Sequence, residues 1–227
     1  MDVQRIKLDR FSEILFYYLI VISLFYILNL FNIKGQEVIL INGLHTESLD
    51  LFFSFITEFG NGLLFAPIIL LIAFRSYRYA FLGISVWAMH GLLCLIFKRL
   101  LFSDFKRPAA LLDHSLLHFV DGINVHHHYS FPSGHTATIF CLAVFVSLVY
   151  KNRLLTFGML LLAIVVGCSR IYLLQHFLED VLAGAVVGAI TSFSFYHYFT
   201  FTRFPPWMNS NLSVFFRSRS PKPSQSR

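Results

Sequence analysis

Three short stretches carry most of this chain's capacity for acid–base or phosphate chemistry: Lys98–Pro108, Phe131–His135 and Ser169–Asp180. In Phe131-Pro132-Ser133-Gly134-His135 the proline interrupts any preceding helix, Ser133 suits an N-cap, and a new helix can start through Gly134. A helix start offers unpaired backbone N–H groups and about half a unit of positive charge, which suits a phosphate. Gly134 lets an anion approach the backbone closely. Capping alone gives no reason for His135. In the third stretch His176 and Asp180 are four residues apart, so on a helix they share one face. A carboxylate bonded to one ring nitrogen fixes the tautomer and leaves the other nitrogen as base or nucleophile. Arg170 lies beside this pair, whereas Glu179 points elsewhere on such a helix and reads as solvated. The first stretch, with Lys98, Arg99, Lys106 and Arg107, reads by itself as a cationic anchor at a membrane boundary.

The elements that position these residues are membrane helices. The 227 residues are 56% hydrophobic and only 13% charged, against roughly a quarter charged in soluble domains. Apolar runs fall at Ile14–Phe31, Gly62–Phe74, Ala80–Phe97, Thr136–Tyr150, Leu154–Cys168 and Val181–Phe201. A crossing needs about 20 apolar residues, so an all-α polytopic bundle of about six transmembrane helices is expected, the second being the shortest. Glu47–Phe59 is apolar on one side but carries Glu47, Asp50 and Glu58, and reads as an interfacial helix. The first run is too long for a cleaved signal, and no small-residue cleavage site follows it, so it reads as an anchor. The membrane-embedded domain is expected over residues 1–203, with a Ser-, Pro- and Arg-rich disordered cytoplasmic tail at 204–227. Cys94, Cys141 and Cys168 fall in or beside the spans and form no spaced framework, so neither a disulfide nor a thiolate metal site is inferred.

Charge sets the orientation. With the N-terminus inside, Arg5, Lys7, Arg10, Arg75, Arg78, Lys151, Arg153 and the tail cations are cytoplasmic. Lys34, Lys98, Arg99, Lys106, Arg107 and Arg170 fall outside, and basic residues kept there need a local reason, of which an anionic ligand is the obvious one. All three chemical stretches then lie on the same, outer side. The charges flank spans rather than forming one basic face, which argues against a nucleic-acid partner.

These residues resemble the type 2 phosphatidic acid phosphatase family, whose fold is shared with vanadium haloperoxidases and bacterial acid phosphatases. The family's signature is K-x6-R-P, P-S-G-H and S-R-x5-H-x3-D. Pro132–His135 matches the second part without departure, and Ser169, Arg170, His176 and Asp180 match the third. In the first part Arg107-Pro108 fits, but eight residues rather than six separate Lys98 from Arg107. Lys98 is taken as the family lysine because a long side chain at a helix end absorbs the difference, with Lys106 or Arg99 as substitutes.

The resemblance implies a metal-independent lipid phosphatase with no cofactor, in an acid phosphatase/haloperoxidase-like helical core. It makes His176 the nucleophile that becomes a phosphohistidine, Asp180 its orienting carboxylate and His135 the general acid and base. Lys98, Arg107, Arg170, Ser133 and Gly134 become the phosphate cradle. Substrates consistent with it are phosphatidic acid, phosphatidylglycerol phosphate, a polyprenyl pyrophosphate and lipid A, met at the extracytoplasmic face of a bacterial inner membrane. A lipid phosphotransferase on the same fold is the main alternative; a vanadate-dependent peroxidase and a non-catalytic transporter or scaffold rank below it. His114 and His118 have helical spacing and His126–His128 add donors, with Asp113 and Asp121 nearby. Adjacent histidines point in different directions, however, so a metal site is not inferred, and the long loop Asp104–Ser130 is expected to shape headgroup choice.

Overall fold

A computed structural model describes residues 3–212, whose regular structure is all helical, with no strand among them. The helices are α1 (Val3–Leu30), α2 (Gln36–Asn42), α3 (Glu47–Ile56), α4 (Phe65–Ala73), α5 (Tyr77–Ile96), α6 (Gly134–Tyr150), α7 (Arg153–Tyr172) and α8 (Leu178–Phe201).

α6 is the centre of the bundle. Its 17 residues carry no charge beyond His135, and every side chain from Thr136 to Val149 is buried. A helix apolar all round has no solvent face to offer and belongs inside. It starts where the Pro-Ser-Gly order predicts: the Ser133 hydroxyl accepts from the Thr136 backbone N–H at 3.4 Å and from the Thr136 hydroxyl at 2.9 Å. It ends at Lys151, which takes a left-handed turn with φ 53°, and Asn152 then caps α7 by accepting from Leu155 N at 2.9 Å.

α8 lies against α6 almost backbone to backbone, because Gly184 and Gly188 face it. A Cβ on Gly184 would stand 2.4 Å from the Ser133 carbonyl oxygen, and one on Gly188 2.2 Å from that of Ala137. Small residues four apart permit this approach, the usual way helices gain contact where no hydrophobic effect drives them together. The approach brings the two N-termini together, and Ser133 N donates to the Asp180 carbonyl at 2.9 Å. α1 covers the far side through Tyr18, whose hydroxyl lies 3.4 Å from that of Ser147, and through Phe11 and Tyr18 against Phe193.

Among the described residues four helices are long and apolar enough to cross a membrane: Arg10–Leu30, Tyr77–Leu101, Arg153–Tyr172 and Leu178–Phe201. Their outer faces leave Phe16, Leu24, Leu92, Leu161 and Ile190 exposed, as a bilayer requires. The count of six is not reproduced. The run at Gly62–Phe74 is the second arm of a bent pair, Glu47–Gly60 with Gly62–Ala73, broken by 57° and countable as one further span. Asn61 makes the break, its side chain accepting from Leu63 N at 3.1 Å to restart the chain. α6 is a shorter apolar helix of its own.

The boundary expected at 203/204 is not a break in packing. Phe204 lies on Phe199 with Arg78 over its ring, Met208 is buried, and Tyr77 N donates to the Ser210 carbonyl at 2.9 Å. These apolar residues return to the core because they are within reach of α5 and α8. The remainder of the expected disordered tail, 213–227, lies outside the described residues.

Candidate active site

The three chemical stretches meet at one end of the bundle, where α5 and α7 finish and α6 and α8 begin. Two arginines enter the gap, each held along one edge. Arg107 donates through Nε to the His128 carbonyl at 2.9 Å, and through one terminal nitrogen to the Gln175 carbonyl and side-chain oxygen at 3.1 and 2.9 Å. Burial pulls its pKa below the ordinary guanidinium value, while the Asp180 charge acts the other way. Arg170, 7% exposed, donates to the Thr57 hydroxyl at 2.5 Å, and its Nε is buried with no partner among the described residues. A buried donor of this kind is costly unless something accepts from it, and an anion in the gap would do so.

The lysine reaches the same place. Lys98 lies on a single wide turn, Phe97–Leu101, closed by Phe102 N donating to the Phe97 carbonyl at 2.8 Å. Such a turn inserts extra chain into a helix end, which helps take up the longer Lys98–Arg107 spacing. Its Nζ lies 3.8 Å from where a Cβ on Gly134 would stand, over the start of α6. Lys106 is exposed. We therefore expect Lys98→Ala to cut kcat/KM by about 10²-fold and Lys106→Ala to leave it near wild type, measured on the same lipid phosphate; the reverse order would transfer the role to Lys106.

His176 and Asp180 meet differently from the helix-face arrangement their spacing predicts. His176 sits in the turn before α8, and Asp180 is in the first turn of that helix, where its Oδ2 accepts from Phe177 N at 2.9 Å. Asp180 is thus an N-terminal cap, well placed beside the positive end of the helix. The same Oδ2 accepts from the Ser130 hydroxyl at 2.5 Å, and His176 Nδ1 stands 3.6 Å from Oδ2 and 3.5 Å from the Ser130 oxygen. Ser130 therefore sits between carboxylate and ring as a third member, and the imidazole's Nε2 is the nitrogen turned away from them. Burial first, then the charges of Arg107, Lys98 and Arg170, hold the His176 pKa well below the usual imidazole range. This favours the neutral ring, the form in which a histidine can act as a nucleophile. Glu179 is not merely solvated: it is ion-paired with Lys34, whose ammonium also lies 4.7 Å from the Phe177 ring centre.

The bend between α3 and α4 closes the remaining side. Beyond the Thr57–Arg170 bond, a Cβ on Gly60 would stand 2.8 Å from the Cβ of His135. Asp50, further up α3, accepts from the Tyr172 hydroxyl and lies 2.8 Å from His118 Nε2, so α3 is tied both to the end of α7 and to the loop before α6. No sequence motif marks Thr57, Gly60, Ser130 or Gln175. The one available signal was that Ser130 directly precedes Phe-Pro-Ser-Gly-His and Gln175 directly precedes His176. Thr57→Val is expected to lower kcat by about 10- to 100-fold with little change in melting temperature, since a misplaced guanidinium costs rate more than stability. Thr57→Ser keeps the hydroxyl and should keep the rate; equal activity in the valine variant would remove Thr57 from the site.

The loop histidines divide. His118 is stacked on His45 at 3.9 Å besides its contact with Asp50, and His114 Nε2 lies 2.7 Å from the Ala109 carbonyl. His126, His127 and His128, with Arg99 and Tyr129, complete a cavity of about 430 Å³ whose other walls are Lys98 and Arg107. Among the described residues no three His, Cys, Asp or Glu side chains are gathered around a metal-sized point.

A model of the PAP2 superfamily matches residues 79–204, more than half of the chain. The chain belongs to the PAP2 superfamily. Its relatives include a lipid A 4'-phosphatase of Bacteroides thetaiotaomicron, 27% identical over 73% of this chain and 76% of the relative. The undecaprenyl-diphosphatase BcrC of Bacillus subtilis is 27% identical over 68% and 77% of the two chains. A lipid A 4'-phosphatase of Porphyromonas gingivalis is 35% identical, but the match spans only 33% of this chain and 32% of that protein. Among solved structures, Aquifex aeolicus LpxE superposes with a TM-score of 0.63 at 27% identity, covering 71% of this chain and 93% of that one. The Bacillus subtilis PAP2-type phosphatidylglycerolphosphate phosphatase, at 20% identity, shares the fold with a TM-score of 0.57 over 86% of this chain. This PAP2 protein is an integral membrane protein, and its all-helical core is the superfamily's.

Proposed function

We propose that this membrane lipid phosphatase removes a phosphoryl group from a lipid headgroup through a phosphohistidine on His176, at the extracytoplasmic face of a bacterial inner membrane. The observation that carries the reading is the convergence of His176, Asp180 and His135 with three cationic side chains beside an apolar cleft. That cleft, of about 910 Å³, runs between α1 and α8 and is lined by Ile22, Tyr26, Phe131, Leu182 and Val186. Its upper end holds Pro132 and Glu179, the chain neighbours of Ser133 and Asp180. A substrate with its tail in that cleft has its headgroup at the cradle.

The chemistry follows from the placement. Phosphoryl transfer needs little beyond positioning and electrostatic stabilisation, and Lys98, Arg107, Arg170 and the N–H groups at the start of α6 supply both. His176 Nε2 attacks phosphorus, the bond to the lipid oxygen breaks, and His135 gives that oxygen its proton. Water, giving its proton to His135, then attacks the phosphorus of the phosphohistidine, and the P–N bond breaks to release phosphate. Asp180 and Ser130 steady the ring through Nδ1 and offset its positive charge. Lys34 follows α1 and pairs with Glu179 at the site, so α1 finishes on the site's side and the N-terminus faces the other. The basic residues near that N-terminus favour the cytoplasm for it.

Purified protein is expected to release phosphate from at least one of phosphatidic acid, phosphatidylglycerol phosphate, a polyprenyl diphosphate or lipid A, with His176→Ala as the blank. Release should persist in excess chelator, because side chains supply the cationic charge. No release from any of the four sinks the reading, and loss on chelation that zinc restores would replace the metal-independent mechanism.

A further inference from the structure

We infer that the cavity beside the cradle is a second anion subsite, so that the preferred headgroup carries two phosphates rather than one. This rests on the phosphatase reading above and concerns the same mouth of the site. A single phosphoryl group, of about two negative charges, is already served by Lys98, Arg107, Arg170 and the α6 N-terminus. Arg99 and the three consecutive histidines are surplus to it, and no carboxylate lines their cavity. Lys98, Arg99 and Arg107 all line it, and gathering such cations is unfavourable unless an anion fills the space between them.

The wall is built, not loose. Arg107 itself pins it: its backbone N–H donates to the His127 carbonyl at 3.0 Å and its Nε to the His128 carbonyl at 2.9 Å. The guanidinium that would hold the first phosphate therefore also holds the segment that would meet the second. Arg99 lies over the Tyr129 ring at 4.4 Å, which fixes its direction without neutralising it. His126 faces Arg107, Arg170, Lys98 and His127, and burial followed by those charges lowers its pKa below the usual imidazole value. A second phosphate would reverse that pressure, so binding it takes up a proton and strengthens the contact.

Both a lipid diphosphate and a lipid bearing two separate phosphomonoesters present this chemistry, and the experiment separates them. The full chain in detergent micelles is assayed on two matched pairs: a polyprenyl diphosphate against its monophosphate, and a bisphosphorylated diglucosamine lipid against its monophosphorylated form. Arg99→Gln, and the triple change His126→Gln, His127→Gln and His128→Gln, should lower kcat/KM about ten-fold on the two-phosphate member of one pair, and less than about two-fold on its single-phosphate partner. The pair that responds identifies the source. Parallel losses, or none, in both pairs overturn the subsite while leaving the phosphatase reading intact; no release by the wild type from all four lipids sinks that reading instead. Inhibition guards against a misfolded triple variant. Inorganic pyrophosphate should inhibit the wild type more strongly than orthophosphate, and Arg99→Gln should narrow that ratio; an unchanged ratio overturns the proposal.

Discussion

His176→Ala is expected to abolish phosphate release, by about 10⁴-fold or more, while the protein stays inserted and folded. The rate loss is large because, among the described residues, no other side chain offers a ring nitrogen at the cradle with a carboxylate behind it. The folding cost is small for two reasons, although His176 is 1% exposed. Its ring makes only the long contacts of 3.5 and 3.6 Å to Ser130 and Asp180. Held neutral by burial and the neighbouring cations, it contributes no ion pair at pH 7. A folded-state pKa below the unfolded value means that the unfolded chain binds the proton first as pH falls. His176 therefore costs stability below about pH 6.5, the ordinary imidazole value. The alanine variant should lose melting temperature less steeply than wild type between about pH 6.5 and 5. Residual turnover above about one part in 10³ would remove His176 as nucleophile, and a melting temperature collapsed at pH 7 would make it structural.

Gly188→Val is expected to prevent the bundle from assembling normally. The added Cβ would lie 2.2 Å from the Ala137 carbonyl oxygen and 2.8 Å from the Cys141 nitrogen, both backbone atoms with no rotamer to give. Relief requires α8 to move off α6, which separates Ser133 from Asp180 and opens the site as well as the core. The expected loss is about 3 kcal/mol or more, read as a large drop in the melting temperature of the solubilised protein and a low yield of membrane-inserted chain. Gly158, with nothing within 4 Å of its added Cβ, is the control: Gly158→Ala should be near neutral. If Gly188→Val melts like wild type, the close α6–α8 approach is not what holds the bundle.

Much of the site was readable from one line of residues because its parts are local. Pro132-Ser133-Gly134-His135 is a helix start in any context, and the structure has Ser133 capping α6. Arg170, His176 and Asp180 fall within eleven consecutive positions, so a single turn between two helices brings them together. The proximity of His176 and Asp180 has a different cause from the one their spacing suggests. Four-residue spacing implied a helix face, whereas a turn and an N-terminal cap produce the same proximity and leave room for Ser130 between them. The same limit applies to Glu179, whose partner Lys34 is 145 residues away, and to the bent pair, whose apolar arm looked like a short crossing.

Composition and spacing by themselves determined that this chain enters a membrane and which residue types stand ready at the ends of the helices. Those are properties of short windows, since periodicity, capping and charge act over a few residues. Only the tertiary structure decided that Thr57 holds Arg170, that Gly60 backs His135, that Gln175 and the His128 carbonyl aim Arg107, and that Lys98 reaches over Gly134 despite its longer spacing. Each of these joins residues brought together by helix packing, and the α6–α8 approach that permits it depends on which face Gly184 and Gly188 present.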